Sequence, residues 1–301
     1  MKQLKNKIFH GKNTPYVFMF PYVILFLIFI LLPVLAAIGL SFTNFNTLEL
    51  PDFVGFRNYI GWLTNDSTFM QVILPNTIVF AVITGPIGYM LSFFLAWSLS
   101  QVSKGMRTIL ALIIYSPSMT SGIAMQVVWK VLFSGDRYGY INSKLLEFGL
   151  IDTPINFLQS AVWLMPIMIL VTLWSSMGIG FLAMLAGIMN IDQSQYEAAR
   201  IDGVKNRFQE IIYVTLPNMK PQLMFGAVMQ IVGSFQLGNI GVTLSGSNPT
   251  PLYAGSVFVT HIDDYGFIRY EMGYAAAGSV LLLLLIYAFS IVARKLFIEK
   301  D

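Results

Sequence analysis

Cysteine is absent from the 301-residue sequence, and only 11% of the residues are charged. The lack of cysteine excludes disulfide bonds and thiolate metal sites. The GxxxxGK[ST] pattern of a phosphate-binding P-loop is also missing, so we expect that the chain does not hydrolyse ATP itself. A mean hydropathy of +0.68 with so little charge lies outside the range of ordinary soluble domains. The chain is therefore predicted to be a membrane protein.

The charged residues occur in groups, and between the groups lie six long stretches without Asp, Glu, Lys or Arg. Each stretch has at least 22 residues, and a helix needs roughly 20 residues to cross the hydrocarbon core. Because a helix satisfies its own backbone hydrogen bonds in lipid, we predict an all-α membrane protein with six transmembrane helices. The predicted spans are 15–42, 76–101, 108–133, 158–189, 218–243 and 274–296. Four prolines inside them predict kinks rather than helix ends: Pro33, Pro86, Pro117 and Pro166.

The distribution of Lys and Arg predicts the orientation of these spans. Thirteen of the 18 basic residues lie in the N-terminal segment 1–14, the 102–107 loop, the 190–220 region and the C-terminal tail. The remaining five are Arg57, Lys130, Arg137, Lys144 and Arg269. Both termini and the loop 190–217 are therefore predicted to be cytoplasmic. This distribution accounts for the net charge of +3 without a nucleic-acid partner, and it places His10 and His261 on opposite sides, where they cannot share a metal.

The loop 190–217 contains the most charged part of the chain, YEAARIDGVKNRFQEIIYVTLP (196–217). Asp192 can cap a helix that Gly203 ends. A second helical piece is predicted over 205–214, and Pro217 opens the next span. A solvated connecting loop is the simplest interpretation of a charged segment. Against it, the capped helix carries small residues next to Glu197, and such a surface allows close approach of a cationic partner.

The segments EAARIDG and TLP resemble the EAA loop of the membrane subunits of ABC importers, specifically the carbohydrate-uptake type related to maltose permeases. Segments 53–60 (FVGFRNYI), 244–250 (LSGSNPT) and 273–286 (GYAAAGSVLLLLLI) resemble other parts of that family in the same order. The resemblance implies a type I ABC importer fold, with a transmembrane permease domain over 15–301 whose EAA loop docks on an ATPase. The residues that match the loop are Glu197, Ala198, Ala199, Asp202, Gly203, Leu216 and Pro217. One departure is the spacing from Gly to Leu-Pro, which is twelve residues here and usually eleven in the family.

Polar and aromatic residues in the fourth and fifth spans are the candidates for contact with a solute. Sugars bind to flat aromatic faces and to amide or hydroxyl groups, and the span centres contain no charge, which disfavours an ion pathway. Gln230 and Ser234 lie four residues apart, as do Phe235 and Asn239, so each pair is predicted to share a helix face. Helix–helix packing is the alternative role for such residues. The candidates are Thr172, Trp174, Ser175, Ser176, Gln230, Ser234, Phe235, Gln236 and Asn239. Ile179 is added because the resemblance to maltose-type permeases implies sugar contact at Ser176, Ile179 and Ser234.

The resemblance implies a non-catalytic permease subunit in a prokaryotic plasma membrane that imports a sugar or oligosaccharide by alternating access. Its expected partners are a second permease subunit, two cytoplasmic ATPase subunits that bind ATP and Mg²⁺, a solute-binding protein outside the cell, and membrane lipid. No cofactor or metal is expected in this chain. Two alternatives stay open: a secondary transporter, and an ABC permease for a solute other than sugar.

Overall fold

The structure is a computed structural model that describes residues 14–120 and 122–297. In these ranges the regular structure is helical, apart from an isolated β-bridge between Thr43 and Phe53, so the all-α prediction is confirmed. In chain order the α-helices are α1 Thr14–Phe26, α2 Leu32–Leu40, α3 Arg57–Ile60, α4 Leu74–Ser100, α5 Lys104–Met119, α6 Gly122–Leu132, α7 Tyr140–Glu147, α8 Leu164–Ser175, α9 Ile179–Met189, α10 Gln193–Ile201, α11 Arg207–Glu210, α12 Leu216–Asn218, α13 Lys220–Gln236, α14 Ile240–Ser245, α15 Phe258–Asp263 and α16 Met272–Phe297.

Short π-helical turns extend or connect several of these helices. They span Leu27–Leu31, Gly61–Asn65, Phe69–Ile73, Ile211–Thr215 and Asp264–Ile268, and Pro251–Tyr253 forms a 3₁₀ turn. Residues 1–13 of the predicted N-terminal segment and Lys300 in the tail lie outside the described residues.

Three helices in the described part of the chain are long and apolar enough to cross a membrane: Pro15–Leu40, Phe69–Ser100 and Met272–Lys295. The pair α8 and α9, bent by 41°, makes a fourth if it is counted as one span. These four correspond to the first, second, sixth and fourth predicted spans. The second begins earlier than predicted because the π-turn Phe69–Ile73 runs directly into α4.

The third and fifth predicted spans each consist of two shorter helices. In the third, α5 ends before Thr120, whose backbone is extended, and α6 follows. In the fifth, α13 ends before Leu237, which is also extended, and α14 follows. Of the predicted kinks, Pro117 lies in the last turn of α5, next to the break at Thr120, whereas α4 continues past Pro86 and Pro166 lies in the first turn of α8.

The chain forms two compact units, one of which contains residues up to Asn65 together with Ile262–Leu281. In this unit the fully buried Trp62 stacks on Tyr274, with ring centroids 5.0 Å apart, and its Nε1 donates to the Tyr274 carbonyl at 2.9 Å. Asn58 Nδ2 donates to the carbonyls of Ser41 at 2.9 Å and Thr43 at 2.8 Å. The FVGFRNYI segment therefore fastens the chain that leaves the first long helix.

The second unit contains Asp66–His261 and the residues from Leu282 onward. Its apolar side chains include two buried clusters among the described residues, and in lipid such packing is driven by van der Waals contact. One cluster contains Phe80, Phe133, Phe157, Leu158, Leu164, Ile167, Met168, Val171, Ile240, Leu244 and Val257. The other contains Ala96, Leu99, Met177, Phe181, Met184, Ile188, Met219 and Leu223.

A buried asparagine organises the segment around α7 in the second unit. Asn142 Nδ2 donates to the carbonyls of Ser134, Asp136 and Ile155, and its Oδ1 accepts from the Ile155 N–H at 3.0 Å.

Replacing Asn142 by alanine should destabilise the chain by about 2 kcal/mol, because buried backbone groups lose their partners. The midpoint of thermal unfolding in detergent measures this, with the exposed Asn190→Ala as the control. Equal midpoints for the two variants would refute the assigned role of Asn142.

Candidate functional site

A cavity of about 520 Å³ lies within the second unit. This volume falls in the range of small-molecule sites. Side chains and backbone from α5, α8, α9, α13 and α14 form its wall. The lining residues are Tyr115, Pro117, Ser118, Thr120, Val171, Thr172, Ser175, Ser176, Gly178, Ile179, Gly180, Met229, Gln230, Gly233, Ser234, Leu237 and Ile240.

The breaks in the third, fourth and fifth predicted spans all reach this cavity. Thr120 follows α5, Gly178 separates α8 from α9, and Leu237 follows α13, and each of these residues lines the wall. Non-helical backbone at membrane depth is stable only where it is buried in protein or lines a water-filled space. The cavity therefore explains why these spans are interrupted.

The wall combines apolar groups, which cover more of its surface, with uncharged polar groups. Among the described residues that line it, none is Asp, Glu, Lys, Arg or His, and the polar groups are seven hydroxyls and the amide of Gln230. Thr172 is 3% exposed, and its Oγ1 is buried without a hydrogen-bond partner in the described structure. An unpaired buried hydroxyl is unfavourable unless a solute or a water molecule satisfies it. Such a wall can accept neutral molecules that carry many hydroxyl groups.

Six of the ten predicted solute-contacting residues line the cavity. Gln230 and Ser234 share a helix face as predicted. Gln230 also lies against Gly88 of α4. A Cβ atom added at position 88 would lie 3.2 Å from the Ser176 hydroxyl oxygen. Glycine at position 88 therefore lets α4 pack closely behind the wall. The six residues are Thr172, Ser175, Ser176, Ile179, Gln230 and Ser234.

The other four predicted residues lie elsewhere. Trp174 is exposed and packs edge-on against Trp129, with ring centroids 5.4 Å apart. Phe235 is buried against Phe289, at 5.0 Å between centroids, whereas Gln236 and Asn239 are exposed. The prediction that Phe235 and Asn239 share a helix face is wrong, because α13 ends at Gln236.

The sequence prediction omits Ser118 of α5 and Thr120, which follows α5; both line the wall. Their signal is the alternation of Ser116, Ser118 and Thr120 inside a charge-free stretch. No metal-binding group of three His, Cys, Asp or Glu side chains is present in the ranges 14–120 and 122–297. His261 contacts Asp66 instead, at 2.7 Å between Nε2 and Oδ2.

The loop 190–217, which resembles the EAA loop and is called so below, begins with the helix that the sequence predicts. Asp192 caps α10 by accepting a hydrogen bond from the Ser194 N–H at 3.1 Å, and Gly203 ends the turn after the helix with φ +101°. Both features are confirmed. The predicted second helix over 205–214 is only partly α-helical, because α11 covers Arg207–Glu210 and the π-turn Ile211–Thr215 follows it. A π-turn closes i→i+5 hydrogen bonds and holds one residue more than an α-turn, which accommodates the twelve-residue spacing.

The outer surface of the EAA loop combines a carboxylate, small residues and apolar side chains. Glu197 and Ala198 are exposed and Ala199 is half-buried. Ile201 is 87% exposed and Phe208 is 70% exposed. Of the remaining motif residues, Leu216 is half-buried, and Asp202, Gly203 and Pro217 are exposed. Exposed apolar groups beside charged ones are typical of a protein-binding surface.

Two side-chain contacts, called ties below, connect the helix α10 to the segment 210–215 on the inner surface of the EAA loop. Glu210 accepts from Arg200 Nε at 3.0 Å and from Arg207 Nη1 at 2.9 Å, and the Tyr196 and Thr215 hydroxyls lie 3.0 Å apart. Burial opposes ionisation of Glu210, but the hydrogen bonds from Arg207 and Arg200 outweigh it, so the pKa of this carboxyl lies below its ordinary value. The carboxylate is therefore ionised at neutral pH.

Comparisons with known proteins identify the relatives of this chain. The family model of binding-protein-dependent transport system inner membrane components matches residues 86–297. The chain is similar to the arabinooligosaccharides transport system permease protein AraP of Bacillus subtilis, with 30% identity over 296 residues that cover 97% of this chain and 91% of the relative. It is also similar to the lactose transport system permease protein LacF of Rhizobium radiobacter, with 32% identity over 222 residues that cover 74% of this chain and 72% of the relative.

A solved structure shares the fold over nearly the whole chain. It is a bacterial alginate ABC transporter in complex with an alginate pentasaccharide-bound periplasmic protein. The TM-score is 0.76 with 25% identity, and the match covers 97% of this chain and 94% of that one.

Proposed function

Because the chain belongs to the family of binding-protein-dependent transport system inner membrane components, we propose that it forms part of the translocation pathway of an ATP-driven importer of sugars or oligosaccharides. The observation that carries this proposal is the uncharged, hydroxyl-lined cavity at which three interrupted spans meet. Hydroxyl and amide groups match the many hydroxyls of a sugar, and no counter-charge for an ionic solute is present among the described wall residues. The named substrates of the two relatives, arabinooligosaccharides and lactose, support the same solute class.

In the proposed topology the chain crosses the membrane six times, and the third, fourth and fifth crossings are each made by two helices. Both termini and the EAA loop are cytoplasmic, since the basic residues are concentrated there. The transmembrane permease domain covers 15–301, after the cytoplasmic segment 1–14. Lipid surrounds Pro15–Leu40, whose hydrophobic window contains no buried residue.

The proposed importer contains this chain, a second permease subunit, two ATPase subunits and an extracytoplasmic solute-binding protein. The sequence has no P-loop, so ATP and Mg²⁺ bind to the ATPase subunits and this chain is not an enzyme. Its EAA loop is the coupling element, with Glu197, Ala198, Ala199, Asp202, Gly203, Leu216 and Pro217 as its motif residues. ATP-driven closure of the ATPases moves the loop and opens the cavity outward, and hydrolysis resets it.

Uptake by proteoliposomes tests the proposal. The complete complex, isolated with its neighbouring subunits, should accumulate radiolabelled lactose or arabinooligosaccharides only when ATP and the binding protein are present. Uptake should persist when a protonophore removes the proton gradient. Uptake by the isolated chain that follows an ion gradient would establish a secondary transporter instead. ATP-driven uptake of an amino acid or a phosphorylated solute, but of neither sugar probe, would reassign the substrate.

Phe208 should contribute to docking of the ATPase subunits. Replacing Phe208 by serine is expected to weaken their capture about fivefold, since a buried aromatic anchor contributes about 1 kcal/mol or more to an interface. A pull-down titration with purified ATPase measures the loss. The control is Phe148→Ser, because Phe148 is 71% exposed but lies outside the EAA loop. If both variants bind like the parent, Phe208 is not part of the docking surface.

A further inference from the structure

Glu210 is the one buried charged residue of the EAA loop, which the structure describes in full; it is 7% exposed. Each of its carboxylate oxygens accepts from a different arginine, and the two arginine side chains are themselves more than half exposed. A buried carboxylate without these partners would be strongly unfavourable. The loop therefore has one preferred arrangement, in which Arg200 of α10 points at the end of α11.

We propose that Glu210 is a positioning residue that makes α10 move as one body with the segment leading into the cavity wall. This inference rests on the proposed function, because α10 transmits motion only if it docks on an ATPase. Glu210 does not line the cavity, and it acts through Arg200.

The covalent connection between α10 and α11 would by itself transmit a movement of α10 poorly. It is the short loop 202–206, and Gly203 in this loop adopts a left-handed conformation that glycine reaches without strain. Two side-chain ties bypass the loop: Arg200 to Glu210, and Tyr196 to Thr215. A force on α10 therefore reaches the 210–215 segment through these ties.

The ties and the proposed docking surface lie on different sides of α10. Tyr196 and Arg200 lie four residues apart and share one side of the helix. Glu197 and Ile201 point to another side, which is exposed. A partner can therefore occupy the outer side without disturbing the inner ties.

The segment that receives the ties continues directly into the cavity wall. Thr215 is buried, and its hydroxyl also donates to the Glu210 carbonyl at 3.3 Å. After Thr215 the chain enters α12 and then α13, which contributes Gln230 and Ser234 to the wall. Glu210 thus links the docking helix to cavity-lining side chains through a segment whose only non-helical residue is Met219.

The test is the ratio of solute transported to ATP hydrolysed, measured in proteoliposomes with the complete importer and radiolabelled lactose or arabinooligosaccharides. Glu210→Gln should lower this ratio about tenfold, the effect of about 1.4 kcal/mol of lost coupling, while the ATPase subunits still co-purify. The matched control is Glu147→Gln, which removes the carboxylate of an exposed ion pair with Lys144 and should leave the ratio unchanged. A role confined to local folding would instead reduce transport, hydrolysis and assembly together.

A second variant restores the tie by other means. The chain contains no cysteine, so Arg200→Cys combined with Glu210→Cys can be bridged by a bis-maleimide at these two positions. The ratio of solute transported to ATP hydrolysed should fall in the unbridged double variant and recover when the two cysteines are bridged. A normal ratio in Glu210→Gln, or no recovery in the bridged variant, would overturn the inference. Absence of ATP-driven uptake by the unmodified complex would instead refute the proposed function.

Discussion

Replacing Glu197 by lysine is expected to abolish solute-stimulated ATP hydrolysis in the assembled importer. Glu197 is exposed on α10 beside Ala198, where a closely approaching cationic partner would bind its carboxylate. Reversing the charge puts like charges against each other, and loss of a buried interfacial pair of this kind costs about 2 kcal/mol or more, at least about a thirtyfold loss of affinity. Hydrolysis measured with and without binding protein and sugar provides the readout.

The control for this experiment is Glu147→Lys, which reverses an exposed carboxylate outside the EAA loop. Both variants should insert into the membrane at the level of the parent. Full stimulation in the Glu197→Lys complex would show that α10 is not the docking element. The interpretation of the EAA loop as a coupling element would then have to be abandoned.

Replacing Thr172 by valine should separate solute binding from stability. The buried Thr172 hydroxyl has no partner in the described structure, so removing it should not destabilise the chain. If the hydroxyl bonds a solute, the loss of that bond should raise the sugar concentration for half-maximal uptake about thirtyfold, corresponding to about 2 kcal/mol. Concentration-dependent uptake and thermal unfolding in detergent measure the two effects.

Thr84 provides the matched control for the Thr172 variant. It is buried in α4, but its hydroxyl donates to the Phe80 carbonyl at 2.7 Å. Thr84→Val should therefore lower stability by about 1 kcal/mol without changing the sugar dependence of uptake. An unchanged sugar dependence in Thr172→Val would assign Thr172 to packing, and the cavity would need another solute-binding residue.

Features that depend on local chemistry were predictable from the sequence. The helix α10 begins at an Asp192 cap and turns at Gly203, as expected, because both signals act within a few residues. The long charge-free stretches correctly predicted the helices Pro15–Leu40, Phe69–Ser100 and Met272–Lys295, since exclusion of charge is a property of the whole stretch.

Two of the three interruptions of the predicted spans were not predictable, because tertiary surroundings decide them. Pro117 lies next to the break at Thr120, but Pro86, an equally strong local signal, lies inside the continuous helix α4. Gly178 and Leu237 carry weaker signals, and the backbone departs from helical geometry at both. What distinguishes the latter pair is the cavity beside them, which only the folded chain contains.

The candidate site was predicted where helix periodicity holds and not where it fails. Gln230 and Ser234 lie within α13, so counting four residues placed both correctly on the wall. The same count from Phe235 to Asn239 crosses the end of that helix and has no geometric meaning. In the other unit, the contact between Trp62 and Tyr274 joins residues 212 positions apart, a distance over which the sequence offers no periodicity.

The π-turn at Ile211–Thr215 affects how relatives of this chain should be aligned. Because the turn absorbs one residue, a length change in this loop need not rotate the helix that follows, and the cavity wall can be inherited unaltered. Between two chains whose loops differ by one residue, an alignment that counts residues from Gly203 towards Gln230 would pair each wall position with the neighbouring residue, which lies on another helix face. An alignment anchored on Leu216 and Pro217, which follow the loop, pairs the wall positions with each other. Substitutions compared between such importers should therefore be numbered from these two residues.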